Sequence, residues 1–240
     1  MILFLTSNIG GIKKENGKKI IVKLFEKNNF LNNLKNNLKE TKKFVLIASN
    51  PDEYEKNDLF LKMDIEALKL SGLEFQDSAI LDGRNIENPE LVLENANLIF
   101  LCGGNTLIQN KFFNRINLKK YLKNTNSVIV GISAGSINSA KNVFNSPEEE
   151  QDLKNSPYMQ GLELTNINVE PHFDINSSNK IQMDSILSES NKRTIYGLTD
   201  GAYIIKINNK YKIYGESYKI HNGIITKICT DNSCQNIGID

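Results

Sequence analysis

Apolar residues fall into short runs separated by longer segments in which they recur every three or four positions. The runs at 2–7, 44–49, 75–81, 98–102 and 127–132 are rich in β-branched and large aliphatic side chains, the pattern of fully buried strands. The segments between them have helical spacing. Residues 13–39 carry Ile20, Ile21, Leu24, Phe25, Leu31, Leu34 and Leu38, which predicts one or two amphipathic helices with a break at Asn28-Asn29. Further helices are predicted over 52–70, stopped by Gly72, from Asn88-Pro89 to Leu93, through Phe113, and over 118–123. Strand and helix thus alternate five times, which specifies a mainly parallel sheet flanked by helices.

Beyond residue 140 the pattern changes. A polar stretch over 146–157 reads as a loop or short helix, a candidate lid. Strands are expected at 164–169 and 194–198, with a helix over 176–188 between them. Four short strands then follow at 202–207, 211–214, 217–220 and 224–228. They are separated by Asn208-Asn209, Gly215 and Asn222-Gly223, the punctuation of a C-terminal antiparallel meander. No linker and no repeat interrupts the chain, so one α/β domain is expected over residues 1–240.

Composition narrows the function classes. The formal net charge is +1, so no overall field favours nucleic acid or an acidic membrane surface. No stretch approaches the roughly 18 apolar residues of a membrane span, and the apolar start at Met1 is too short for a signal peptide. Cys102, Cys229 and Cys234 are odd in number and scattered, which fits neither a disulfide framework nor a metal site. A cytoplasmic protein without metal or cofactor, monomeric or homodimeric, is expected.

The chemistry centres on Gly131-Ile132-Ser133-Ala134-Gly135-Ser136, which follows a buried strand and leads into a helix-competent segment. A serine on a sharp strand-to-helix turn is a nucleophile elbow. The flanking glycines leave room for the turn, and the first N–H groups of the new helix have no partners within it. In a parallel sheet such turns line the edge where the strands' carboxyl ends meet, the usual place of an active site. The turn Gly103-Gly104-Asn105-Thr106 ends its strand on the same edge and fits neither phosphate-binding fingerprint. Ala134 N–H and Gly104 N–H are therefore the candidate oxyanion donors.

A serine needs a base within hydrogen-bond reach. Only His172, in Val169-Glu170-Pro171-His172-Phe173, and His221, before Asn222-Gly223, are present. His172 suits a stiff turn at a strand end. His221, with the chain order serine, acid, histidine, would suit an α/β-hydrolase-like esterase. Asp200, at a strand's carboxyl end before Gly201, is the favoured acid. Glu148 is the alternative, and Glu149, Glu150 and Glu170 are rivals.

Taken together, Gly103-Gly104-Asn105-Thr106, Gly131-Ile132-Ser133-Ala134-Gly135-Ser136 and Pro171-His172-Phe173-Asp174 resemble the peptidase E (aspartyl dipeptidase) and cyanophycinase family of serine peptidases. The resemblance implies a class I glutamine amidotransferase-like, flavodoxin-like fold. It also implies Ser133 as nucleophile, His172 as base, Gly104 and Ala134 as oxyanion donors, and an acid near Glu148 or near Asp200. The expected activity is hydrolysis of dipeptides or short peptides in a pocket between the elbow, the Gly104 turn and the Glu148 region. In peptidase E an arginine beyond the histidine is thought to read the substrate's N-terminal aspartate. This chain has Asn176, Ser177, Ser178, Asn179 and Lys180 there, with Arg193 much later, so the preference for N-terminal aspartate is left open: Lys180 or Arg193 could bind a carboxylate, or both are surface charges. A ligand-binding member of the fold without catalysis is the reading from a different class.

Overall fold

The computed structural model describes residues 1–15 and 17–238; Asn16, Ile239 and Asp240 of the expected single domain lie outside the described residues. Its centre is an eight-stranded sheet. Five parallel strands stand in the order Ile2–Thr6, Val128–Ile132, Leu98–Leu101, Lys43–Ile47, Asp77–Leu81. Three antiparallel strands, Tyr203–Ile207, Lys210–Tyr214 and Cys234–Ile237, extend the sheet from the far side of Ile2–Thr6. Two large apolar clusters cover its faces. One contains Leu3, Leu5, Val45, Ile99, Leu101 and Ile129, and the other Phe4, Phe44, Leu46, Phe100, Val128 and Val130. Successive residues of a strand point to opposite faces, so runs such as Phe44–Ile47 that are apolar throughout are the ones a doubly covered sheet requires.

A second sheet of four strands, Asn168–Pro171, Ile195–Leu198, Ser217–His221 and Ile224–Cys229, stands beside the first. The four C-terminal strands are thus present and antiparallel, but they divide between the two sheets. Tyr203–Ile207 and Lys210–Tyr214 pair with the N-terminal strand, while Ser217–His221 and Ile224–Cys229 pair with Ile195–Leu198. The strand expected at 164–169 forms later, at Asn168–Pro171, and the helix expected at 176–188 begins at Lys180 behind an Asn179 cap.

One expectation fails. Gly10–Glu15 and Lys18–Leu24 are not helical but form two paired antiparallel strands, and among the described residues the only α-helix before the strand at 43 is Phe30–Asn37. The cross-strand pair Ile12–Ile21 accounts for part of the apolar spacing that resembles a helix. Gly10 and Gly11, at φ 78° and 81°, take a backbone conformation that does not belong to a helix. The strand pair packs on the helix Tyr54–Leu70.

Candidate active site

Ser133 joins the strand Val128–Ile132 to the short helix Ala134–Asn138 with φ 50° and ψ −109°, angles that a side-chain-bearing residue rarely adopts. Packing enforces the turn. A Cβ on Gly131 would lie 2.8 Å from Ser136 N, and one on Gly135 would lie 2.7 Å from Leu101 Cβ. Hydrogen bonds fasten the turn to the N-terminal strand: Ser133 N–H donates to Thr6 O (2.9 Å), Thr6 N–H donates to Ser136 Oγ (2.7 Å), and Thr6 Oγ1 donates to Gly131 O (2.7 Å).

His172 and Asp200 come from the second sheet. The strands Asn168–Pro171 and Ile195–Leu198 run parallel with Pro171 opposite Leu198. Both chains therefore leave the sheet at the same edge, His172 one residue beyond its strand and Asp200 two residues beyond. His172 turns at φ 56°, and Phe173 N–H donates to Leu198 O (3.0 Å). The Phe173 ring lies where Gly197 leaves space, since a Cβ there would approach Phe173 Cγ to 2.6 Å. Ser7, at the end of the N-terminal strand, ties the two sheets together. Its Oγ accepts from His172 N–H (3.1 Å) and donates to Leu198 O (2.7 Å).

In consequence His172 Nε2 lies 3.1 Å from Ser133 Oγ, and His172 Nδ1 lies 2.6 Å from Asp200 Oδ1. Both His172 and Asp200 are half-exposed. The Asp200 hydrogen bond, reinforced by the charges of Asp200, Glu148 and Glu170, holds the imidazole above its ordinary pKa against the opposing effect of burial. The same bond holds Asp200 below the usual carboxylate range. Asn8 Nδ2 reaches the other Asp200 oxygen at 3.5 Å.

The remaining expected residues divide clearly. Gly104 sits at φ 148° over Ser49, whose Oγ a Cβ at 104 would strike. Among the described residues neither Gly104 N–H nor Ala134 N–H donates a hydrogen bond. A cavity of about 410 Å³ runs from Gly104 beneath the 145–157 segment and is lined by Glu148, Glu149 and Asp152 among others, with no lysine or arginine. The elbow itself is not part of its lining. Glu148 hydrogen-bonds through its backbone to Asp152 and Asn179 and makes no hydrogen bond to His172. Glu170 is only 5% exposed; its Oε1 accepts from Ser146 Oγ (2.9 Å) and Gln182 Nε2 (3.0 Å), and burial pushes its carboxyl up to about 7. Glu149 accepts within the 3₁₀ turn Glu150–Lys154 that it caps.

His221 ends the strand Ser217–His221 of the second sheet, its Nδ1 3.1 Å from Thr194 Oγ1, so it is His172 that the fold brings to the serine. Arg193 is held by Glu189 (2.7 Å) and Asn142 O (3.0 Å), and Lys180 is exposed at the start of its helix. Cys102 is partly buried beside Gly103, and burial pushes its thiol up to about 12. The sequence offered no signal for Ser7, because its contribution depends on strands far apart in the chain meeting at one edge.

A strained serine at the end of a central parallel strand, with an imidazole at hydrogen-bonding distance, places the chain in the class of serine hydrolases built on α/β sheets. The chain belongs to peptidase family S51, whose family model matches residues 3–214. It is a serine-type peptidase. Two solved structures share its fold. A peptidase from an acI-B1 Actinobacterium aligns at 16% identity over 98% of this chain and 96% of that one, with a TM-score of 0.67. A candidate peptidase E protein from Listeria monocytogenes EGD-e aligns at 15% identity over 95% and 98%, with a TM-score of 0.61. No functionally curated protein matches the chain. No helix among the described residues is long and apolar enough to cross a membrane.

Proposed function

We propose that the chain is a cytoplasmic exopeptidase that hydrolyses dipeptides or short peptides through Ser133, His172 and Asp200. The observation that carries this reading is the continuous contact from Asp200 through His172 to Ser133. Asp200 accepts from Nδ1–H, which leaves the lone pair of Nε2 facing the serine hydroxyl. Ser133 Oγ attacks the scissile carbonyl carbon as its proton passes to Nε2. The negative oxygen of the tetrahedral intermediate is held by Gly104 N–H and Ala134 N–H, each contributing on the order of 3 kcal/mol. The imidazolium returns the proton to the leaving amine, the C–N bond breaks, and an acyl-serine ester remains. Water then attacks the ester with His172 again as base, releasing the acid and regenerating Ser133.

The cavity beside Gly104 supports a short substrate, and its three carboxylates favour a neutral or cationic side chain over an aspartate. The test is a dipeptide panel with acidic, neutral and basic N-terminal residues, presented to wild type and to Ser133→Ala. Peptide hydrolysis and fluorophosphonate labelling of wild type, both abolished by Ser133→Ala, are the expected result. Ester hydrolysis that survives His172→Ala and disappears in His221→Ala would overturn it in favour of an esterase. Peptide binding with no turnover by wild type would favour a ligand-binding protein.

A further inference from the structure

The two proposed oxyanion donors sit on separate turns, and a buried set of amide side chains joins those turns from below. Gln109 and Asn138 are both fully buried, at 0% exposure. Gln109 lies on the helix Thr106–Arg115, and its Nε2 donates to Cys102 O at 2.6 Å. Asn138 closes the elbow helix, and its Nδ2 donates to Thr106 O (3.0 Å) and to Gln109 Oε1 (3.0 Å). The carbonyls on both flanks of Gly103-Gly104-Asn105 are thereby tied to the elbow helix. Thr106 O is held by Asn138 directly, and Cys102 O by Gln109, which Asn138 holds in turn. Asn110 adds a further donor to Asn138 Oδ1 at 3.0 Å.

We propose that Gln109 and Asn138 are positioning residues for the peptidase reaction, fixing the Gly104 N–H relative to the Ala134 N–H. The inference rests on the oxyanion roles proposed above for those two groups. Apolar side chains of the same volume would fill the space between the helices without setting their register. Amide hydrogen bonds are directional, and in a dry interior they tolerate little displacement. The requirement is strict, since an oxyanion donor must lie within about 3 Å of the developing charge and a shift of about 1 Å costs on the order of a hundredfold in rate. Neither side chain touches substrate in this scheme.

The variants Gln109→Met and Asn138→Leu keep the side-chain length and delete the link. On the preferred peptide, kcat is expected to fall roughly ten- to a hundredfold with KM changed less than about threefold. Fluorophosphonate labelling should slow in parallel, because it builds the same negative oxygen. Peptide affinity in a Ser133→Ala background should stay the same. Leu34→Ala, which opens a cavity in the apolar cluster on the opposite face of the sheet from the Gln109 helix, should lower Tm while leaving kcat near wild type; this separates positioning from general loosening. If an apolar variant fails to fold, Gln109→Glu reads the same link at a pH where its carboxyl is ionised, since the carboxylate keeps the acceptor for Asn138 and loses the donor to Cys102. Folded variants with wild-type kcat and labelling rate, or a loss seen equally in peptide affinity, would overturn the inference. If wild type itself neither cleaves peptides nor labels at Ser133, the underlying reaction fails and the positioning role with it.

Discussion

Asp200 Oδ1 lies 2.6 Å from His172 Nδ1, and the parallel pairing of Pro171 with Leu198 brings the two side chains to that distance. Glu148, which charge and chain position also offer as the acid, acts on the imidazole only through its field. Asp200→Asn should therefore lower kcat by about 10³- to 10⁴-fold, because the amide no longer selects the tautomer with a proton on Nδ1. Glu148→Gln should lower it less than about tenfold. Steady-state kinetics of the two variants decide between the acids, and the reverse order of losses would transfer the role to Glu148.

The pH profile follows from the same contact. His172 acts as a base only when neutral, and its pKa is raised above 6.5, first by the Asp200 hydrogen bond. Activity should therefore be lost as pH falls through a value above 6.5, in the kcat/KM profile of the free enzyme. Glu148→Gln removes one of the charges that raises it, so the acid limb should move to lower pH. A wild-type limb at or below 6.5, or no movement in the variant, would count against this electrostatic account.

Much of the architecture was legible in the chain, and the reason is burial. Strands covered on both faces must be apolar at every position, which makes runs such as Val128-Ile129-Val130 and Leu98-Ile99-Phe100-Leu101 stand out, and a glycine turn after such a run is local chemistry. The strands before residue 25 carry a helix-like pattern because only part of their surface is covered. With lysines at 13, 14, 18, 19 and 23 facing outward, their remaining apolar residues fit a helical spacing as well as a strand's. The division of the C-terminal strands between two sheets had no sequence signal, since alternation shows that a strand has a partner without showing which. Gln109 and Asn138 were silent for a related reason: a buried amide looks like a surface one until its partners are known.

The elbow's tolerance of substitution should differ sharply between neighbouring glycines. A Cβ at 135 meets Leu101 Cβ at 2.7 Å, whereas the nearest atom to a Cβ at 103 is Ile132 O at 3.4 Å. Gly135→Ala should lift the elbow helix from the sheet, destabilising the protein by about 1–3 kcal/mol, and should depress fluorophosphonate labelling. Gly103→Ala should change Tm much less. Thermal unfolding of both variants tests this, and equal shifts would show that the close approach at Leu101 is relieved elsewhere.

Glu170 should make stability fall as pH rises. Burial raises its carboxyl from 4.5 to about 7, so between those values the folded protein keeps a proton that the unfolded chain has released. Stability is then lost with rising pH, by about 3 kcal/mol once the group is ionised in both states. Half-exposed His172 contributes in the same direction at higher pH, since its raised pKa stabilises the fold only below that value. Glu170→Gln keeps an acceptor for Ser146 and Gln182 and removes the titration. The variant should be less sensitive to pH between 5 and 8 than wild type in denaturant melts. Identical slopes would place the destabilising charge elsewhere.

The cavity beside Gly104 gives the last prediction. Its carboxylates Glu148, Glu149 and Asp152 have no lysine or arginine among the lining residues to balance them. Arg193, the one arginine in the chain after His172, is occupied by Glu189 and the Asn142 carbonyl. A substrate aspartate would meet uncompensated negative charge, at a total penalty of about 1 kcal/mol in a solvent-open site. Peptides with an acidic N-terminal residue should therefore have kcat/KM roughly five- to tenfold below neutral or basic ones. Glu148→Lys should narrow or reverse that ratio, mainly through KM, because the charge lies away from the reacting atoms. A wild-type preference for N-terminal aspartate would mean that the side chain binds outside this cavity, and Lys180 would then be the cation to test.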